Sequence, residues 1–242
     1  MSVRIGPRDM WAVQWIAEMR GVPMTVLAAL LSTSENNAYR VWRRLRKAGL
    51  VLDVHEQLRP VPGPSWVVPT APIASKLLQF EVDEWLPRPK DARHHEMVAL
   101  TRLALAGNEI GSDDGWISER LLWHANAGQV PLGASRPHLH DGQWTDNLGR
   151  LHAIEVELTR KGSSDARTTL AAAYKAAAQV KAHDLIYYCD SPEVATRVRA
   201  AASVLPQPGP GDPGLLVKDL NQLLNPPAVD GQGLRAAGGA AS

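Results

Sequence analysis

The chain has 242 residues, 45% of them hydrophobic and 21% charged, a balance that fits a globular protein with one large core or two small ones. Its formal net charge of +1 excludes a polybasic chain, so any nucleic-acid affinity must come from a local patch. The lone cysteine, Cys189, excludes an internal disulfide framework and fits a reducing cytoplasm, and no apolar run is long enough to cross a bilayer. The N-terminus also lacks the apolar segment of a signal peptide, so a cytoplasmic protein without membrane association is expected.

Three helices are expected first. Asp9 is placed to cap a helix over 9–19, with Trp11, Val13, Trp15 and Ile16 among its apolar positions. Gly21 ends it, and Pro23 opens a second helix through Val26, Leu27, Leu30 and Leu31. The third follows Ser32-Thr33-Ser34, carries Ala38, Val41, Trp42 and Leu45 at helical spacing, and stops at Gly49. Strands over 50–55 and 65–69, joined by a Pro/Gly turn over 60–64, then a helix over 73–80, complete this unit. Pro87-Arg88-Pro89-Lys90 marks a boundary, since prolines so placed resist helix and central strand alike. Beyond it come a helix over 92–106 and strands over 116–123, 136–140 and 151–159. An alanine-rich helix over 166–182, a buried strand over 184–189 that includes Cys189, and a helix opened by Pro192 follow. After a Pro/Gly loop over 206–214, residues 215–224 read as strand or short helix. The expected fold class is therefore α+β: a DNA-binding unit over 1–86, an α/β unit over 91–224 with a mixed sheet flanked by helices, and a Gly/Ala-rich disordered tail over 225–242.

The first unit reads as a winged helix-turn-helix: short helices, tight turns, a basic third helix and a two-stranded wing. On that helix Ala38, Val41 and Leu45 form the packing stripe, while Ser34, Asn36, Asn37, Arg40, Arg43, Arg44 and Lys47 lie largely away from it. Asn and Arg read adenine and guanine edges by paired hydrogen bonds, and they stand in the half of the helix that enters a major groove. Arg43, Arg44, Arg46 and Lys47 suit phosphates, and His55 and Arg59 on the wing could touch backbone or minor groove. Basic residues on a helix are ordinarily a solvated face, but four within five positions, between a helix-turn-helix pattern and a hairpin, favour duplex DNA as partner.

Arg40-Val-Trp-Arg-Arg-Leu-Arg-Lys-Ala-Gly-Leu-Val51, Trp66-Val-Val-Pro-Thr70 and, most specifically, His152-Ala-Ile-Glu-Val-Glu-Leu-Thr-Arg-Lys161 resemble the replication-relaxation family of actinobacterial plasmid and mobile-element proteins. The resemblance runs from the first helix to Cys189. It implies a winged helix followed by a domain similar to PD-(D/E)XK nucleases, and it carries no settled biochemical activity.

In such a domain a hard divalent cation, Mg²⁺ or Mn²⁺, is held by carboxylates from neighbouring strands and activates water, with a lysine assisting. Strand alternation puts Glu155 and Glu157 on one face and Ile154, Val156 and Leu158 on the other, with Arg160 and Lys161 following as cationic partners. Glu155, Glu157 and Lys161 are the candidate catalytic residues. Glu96 and Glu119 are further possible oxygen donors. Where the PD element is expected the chain reads Pro137-His138, so His138 replaces the first carboxylate and joins Glu155 and Glu157 as a candidate metal ligand. Asp141 and Asp146 are possible substitutes, although they fall in an expected hairpin turn, and His138 with His140 favours a softer metal such as Mn²⁺ or Zn²⁺. His94 and His95 read as hydrogen-bonded surface groups. No phosphate-binding glycine loop, nucleophile elbow or cysteine cluster is present in the sequence.

The sequence reading is thus a sequence-specific duplex DNA-binding protein of a plasmid or phage-like element, acting in replication, maintenance or transcriptional control, with a degenerate nuclease-like domain. A metal-dependent DNA nicking or cleaving endonuclease is the alternative. A homodimer on paired half-sites and a replication or transfer protein are the other partners considered.

Overall fold

The elements follow from local signals that the sequence states openly. In a computed structural model that describes residues 4–53, 58–59, 63–127, 137–206 and 209–226, the chain starts with α1 (Pro7–Glu18). Pro7 opens this helix, and Asp9 lies inside its first turn, where its Oδ2 accepts the Gly6 backbone N–H at 3.1 Å. Asp9 is thus the residue that reaches back rather than the cap itself. β1 (Val22–Pro23), α2 (Met24–Leu30) and α3 (Glu35–Lys47) follow. Ser34 caps α3 by accepting the Asn37 N–H at 3.4 Å. Gly49, at φ +71°, ends it, with Leu50 N–H donating back to Leu45 O at 3.0 Å.

The expected hairpin after α3 is only partly paired within itself. Val51 bridges Pro69, and the Leu52 and Thr70 N–H groups donate to Val68 O and Leu50 O at 2.8 and 3.2 Å. β2 (Trp66–Val67) pairs instead with β1 in an antiparallel two-stranded sheet, which pins the segment to the turn between α1 and α2. The rest of the expected first wing strand, His55, part of the turn, Arg136, part of the 206–214 loop and the tail beyond residue 226 lie outside the described residues. α4 (Ala71–Leu78) packs back on α1.

α5 (Pro89–Ala106) starts inside the proline-rich segment expected to divide the chain. Next come β3 (Trp116–Ser118), α6 (Glu119–Asn126), β4 (Gly142–Thr145) and β5 (Leu151–Glu157). α7 (Ser163–Gln179), β6 (Asp184–Cys189), α8 (Pro192–Ala202), β7 (Gly214–Asp219) and α9 (Leu220–Leu224) complete the described chain. The second sheet has five strands in the order β3-β4-β5-β6-β7, antiparallel through β5 and parallel from β5 to β7. The fold is mixed α and β.

Two expected strands are corrected. Residues 116–123 are a three-residue strand and then α6, because Ser118 Oγ accepts the Leu121 N–H at 3.4 Å and Glu119 favours the first turn of a helix. Residues 137–140 form no strand; the strand is β4, beginning at Gly142.

The sheet is covered on both faces. Ala153, Leu185, Tyr187 and Cys189 pack with α7 and α8. Ile154, Val156, Ile186 and Tyr188 belong to a second cluster that includes Val98 and Ala99 of α5, Val26 and Leu30 of α2, and Val13 and Ile16 of α1. One apolar core therefore runs from the helical unit into the sheet through α5. Arg102, 4% exposed, reinforces this junction by pairing with Glu18 and Asp114, each at 2.8 Å, with its guanidinium 4.6 Å from the Trp15 ring centre.

Candidate functional site

Two groups of predicted residues need placing: the polar face of α3 and the acidic face of β5. On α3, Ala38 and Leu45 are buried. Ser34, Asn36, Asn37, Arg40, Arg43 and Lys47 are exposed and follow one another at helical spacing. Asn37 Oδ1 accepts a hydrogen bond from Arg40 at 3.3 Å, which orients that guanidinium over the first turns. Arg44 leaves the row. Its Nε and Nη2 donate to the buried Asp9 carboxylate at 3.1 and 2.5 Å, so it links α3 to α1. Burial favours the neutral acid of Asp9, but the Arg44 and Gly6 hydrogen bonds and the charges of Arg44 and Arg8 hold its carboxyl below the usual range. Arg46 pairs with Asp53 at 2.9 Å and lies 5.1 Å from the Trp42 ring centre, again away from the exposed row. Arg59 donates to Ser65 Oγ at 2.9 Å.

On β5 the expected alternation holds: Ile154 and Val156 face one core, and Glu155 stands opposite Tyr187 in the parallel register. Glu155 is 8% exposed, and its Oε1 faces two imidazoles, His138 Nε2 at 2.7 Å and His140 Nδ1 at 2.8 Å. Burial favours the neutral acid of Glu155, but hydrogen bonds and charge from His138 and His140 outweigh it and hold the carboxyl low. His138 is pushed up, because its contact with Glu155 outweighs its own burial. His138, His140 and Glu155 each offer one ligand atom within 4.8 Å of the others, so this cluster can hold a metal ion.

Lys161, expected as a cationic partner of the β5 glutamates, forms an ion pair with Glu157 four residues before it, and neither belongs to the cluster around Glu155. Glu157 and Lys161 line a small apolar pocket against α7 and α8, outside the histidine cluster. Glu96 lies beside Thr25 and Arg93, and Glu119 pairs with Arg20 at 3.1 Å; neither joins the cluster.

Asp141 is not a turn residue. It immediately precedes β4, one step beyond the Gly142–Ile154 register pair and thus level with Glu155. Its Oδ2 accepts the Val156 N–H at 2.7 Å, and its Oδ1 faces His94 Nε2 at 2.8 Å. His94 is pushed up to about 9, burial being outweighed by this carboxylate. Asp146 does occupy the β4–β5 turn, accepting from the Leu148 and Arg150 N–H groups at 2.9 Å. Beside Asp141, an open cleft of about 700 Å³ is lined by Arg20, Trp85, His94, His95 and Glu119.

An oxygen-rich shell for Mg²⁺ does not fit these side chains. Glu155 Oε1 faces two ring nitrogens, both Asp141 oxygens have N–H or imidazole partners, and Glu157 holds Lys161. Sequence reasoning reached Glu155, His138 and His140 as donors and Asp141 as a possible carboxylate, but put Asp141 in a hairpin turn rather than level with Glu155. The signal was the spacing His138-x-His140-Asp141 directly before a strand that pairs with Glu155. No protein-family model and no curated protein matches this chain.

Proposed function

We propose that this protein binds duplex DNA in a sequence-specific manner, with α3 as the recognition helix of a winged helix-turn-helix and the five-stranded unit as a nuclease-like module. The carrying observation is the exposed row Asn36, Asn37, Arg40, Arg43 and Lys47 on a helix whose other face is fixed by Ala38 and Leu45. Amide and guanidinium groups at its N-terminal half suit base edges, and the cations further along suit phosphates. The resemblance to replication-relaxation proteins points the same way and suggests replication, maintenance or transcriptional control of a mobile element.

A footprint on the DNA upstream of its own coding sequence tests this reading. A discrete protected site, lost in Asn36→Ala/Arg40→Ala, is expected. Weak binding that falls equally on all sequences as salt rises would leave only non-specific charge attraction.

A second reading, metal-dependent nicking, is favoured by the His138–His140–Glu155 cluster at the same sheet face as the implied nuclease site. Supercoiled plasmid nicked in Mn²⁺ by wild type and spared by Glu155→Ala is its expected result; intact plasmid removes it.

A further inference from the structure

We infer that His138, His140 and Glu155 form a mononuclear site for a borderline divalent cation of the zinc class, selective against Mg²⁺. The donor set is two imidazole nitrogens and one carboxylate oxygen, which matches zinc and its cobalt(II) substitute and leaves a fourth position open. This goes beyond the DNA reading: it rests on side chains of β5 and the segment before β4, and requires no action on DNA.

Three observations carry it. First, Glu155 Oε1 is the common partner of both rings at 2.7 and 2.8 Å, so the three groups already converge on one point. A bound ion takes the place of the N–H protons, with ligand atoms about 2 Å from it. Second, His140 is 2% exposed and, among the described residues, its Nε2 has no hydrogen-bond partner. With Nδ1 turned to Glu155 and the ring out of solvent, water does not compete for the nitrogen that would take the ion. Third, the hydroxyl of Tyr187, which stands opposite Glu155 in the β5–β6 register, is also buried with no partner. It is a buried hydroxyl, on the strand beside Glu155, that a bound water or anion would satisfy.

The harder alternative is disfavoured by the neighbours. Asp141, the nearest further carboxylate along the strand pairing, is occupied by His94 and the Val156 N–H. Histidines thus set the selectivity: they supply nitrogen where Mg²⁺ needs oxygen.

The test uses the full-length protein, stripped with chelator and titrated with Co²⁺ in a large excess of Mg²⁺, with no DNA present. One equivalent taken up, with the visible absorption of a low-coordinate cobalt site, is expected, and Zn²⁺ should displace it. His138→Ala should weaken Co²⁺ uptake at least ~100-fold, as expected when a direct ligand is lost. His183→Ala, which removes an exposed histidine outside the cluster, should leave uptake unchanged. A melting curve for each variant identifies any that fail to fold, and because His138 is the least buried of the three ligands it decides the matter if His140→Ala does not fold. No uptake by wild type, equal competition by Mg²⁺, or uptake retained by folded His138→Ala would overturn the site. None of these outcomes touches DNA binding by α3, which the footprint tests separately.

Discussion

Arg44 and Asp9, 35 residues apart, meet in a two-point contact in which two guanidinium nitrogens, Nε and Nη2, donate to one carboxylate, 3.1 and 2.5 Å away. The pair fixes α3 against α1 from a position on the flank of the exposed row, one turn beyond Arg40. An arginine expected to touch phosphate is thus a structural strut, and this gives a clean separation of roles along one helix. Arg44→Ala should destabilise the protein by about 1–3 kcal/mol, because it leaves a buried carboxylate unpaired. Arg43→Ala, one residue earlier and exposed, should stay within about 0.5 kcal/mol of wild type. Urea denaturation of the two variants reads the difference.

The reverse order is expected for DNA. Lys47→Ala and Arg43→Ala should each lower the slope of log affinity against log salt by about 0.9, the mark of one lost phosphate contact on a duplex. Fluorescence anisotropy over a salt series measures it. An unchanged slope in both variants would remove the exposed row from the interface.

Gly142 is irreplaceable for a steric reason. A Cβ built there falls 2.1 Å from Cζ2 of Trp116, which stands in β3 two residues from Ser118, the register partner of Gly142. Gly142→Ala should cost about 1–3 kcal/mol through displacement of the buried indole. A lowered Tm together with a red-shifted tryptophan emission is the expected signature.

Much of this architecture can be read in the residues, and the exceptions have physical causes. β6 is plain because Asp184-Leu-Ile-Tyr-Tyr-Cys189 is buried on both faces and reads as a continuous apolar run. α3 is equally plain, bracketed by a Ser34 cap and Gly49 in the left-handed region. β4 is hidden because Gly142-Gln-Trp-Thr145 contains one β-branched residue and one aromatic, too few for a strand signature. α6 is mistaken for strand because Trp116-Ile117 and Leu121-Leu122-Trp123 flank the polar Ser118-Glu119-Arg120 with apolar residues, and the Ser118-Glu119 helix start counts for less than they do. At the candidate site, alternation along β5 reveals Glu155, a local property. The meeting with His138 and His140 depends on how the segment before β4 lies beside β5, which no local pattern carries.

Tyr187→Phe should leave the chelator-stripped protein as stable as wild type or up to about 1 kcal/mol more stable. Its hydroxyl is buried and has no partner among the described residues, so deletion removes a desolvated group and none of the hydrogen bonds described. Burial, reinforced by the charges of Glu155, Glu157 and Asp141, also pushes its phenol far above the usual range, so it stays neutral throughout the accessible pH scale. Thermal melts of the stripped wild type and variant make the comparison.

His95 predicts an acid sensitivity of defined range. Burial first, then the charges of Arg20 and His94, lower it from the ordinary 6.5 to about 4. Between those values the unfolded chain takes up a proton that the folded chain refuses, so stability falls as the pH drops through that window. Allowing for the partial exposure of the ring, the loss by pH 5 is about 1 kcal/mol. His95→Leu should therefore lose less Tm than wild type between pH 7 and pH 5; identical losses would remove His95 as a source of the acid sensitivity.

The apolar cluster that joins Val26 and Leu30 to Ile154 and Ile186 through Val98 and Ala99 has a practical consequence for anyone dividing the chain. A cut at the proline-rich stretch before α5 would strip a wall from each piece. The front fragment would present its α2 face to water, and the back fragment would present α5 and the strand residues beneath it. Both would seek new partners for that surface, by clumping or by embracing a neighbour's severed half. Because the two halves share one interior, heat or denaturant should melt them together in a single transition.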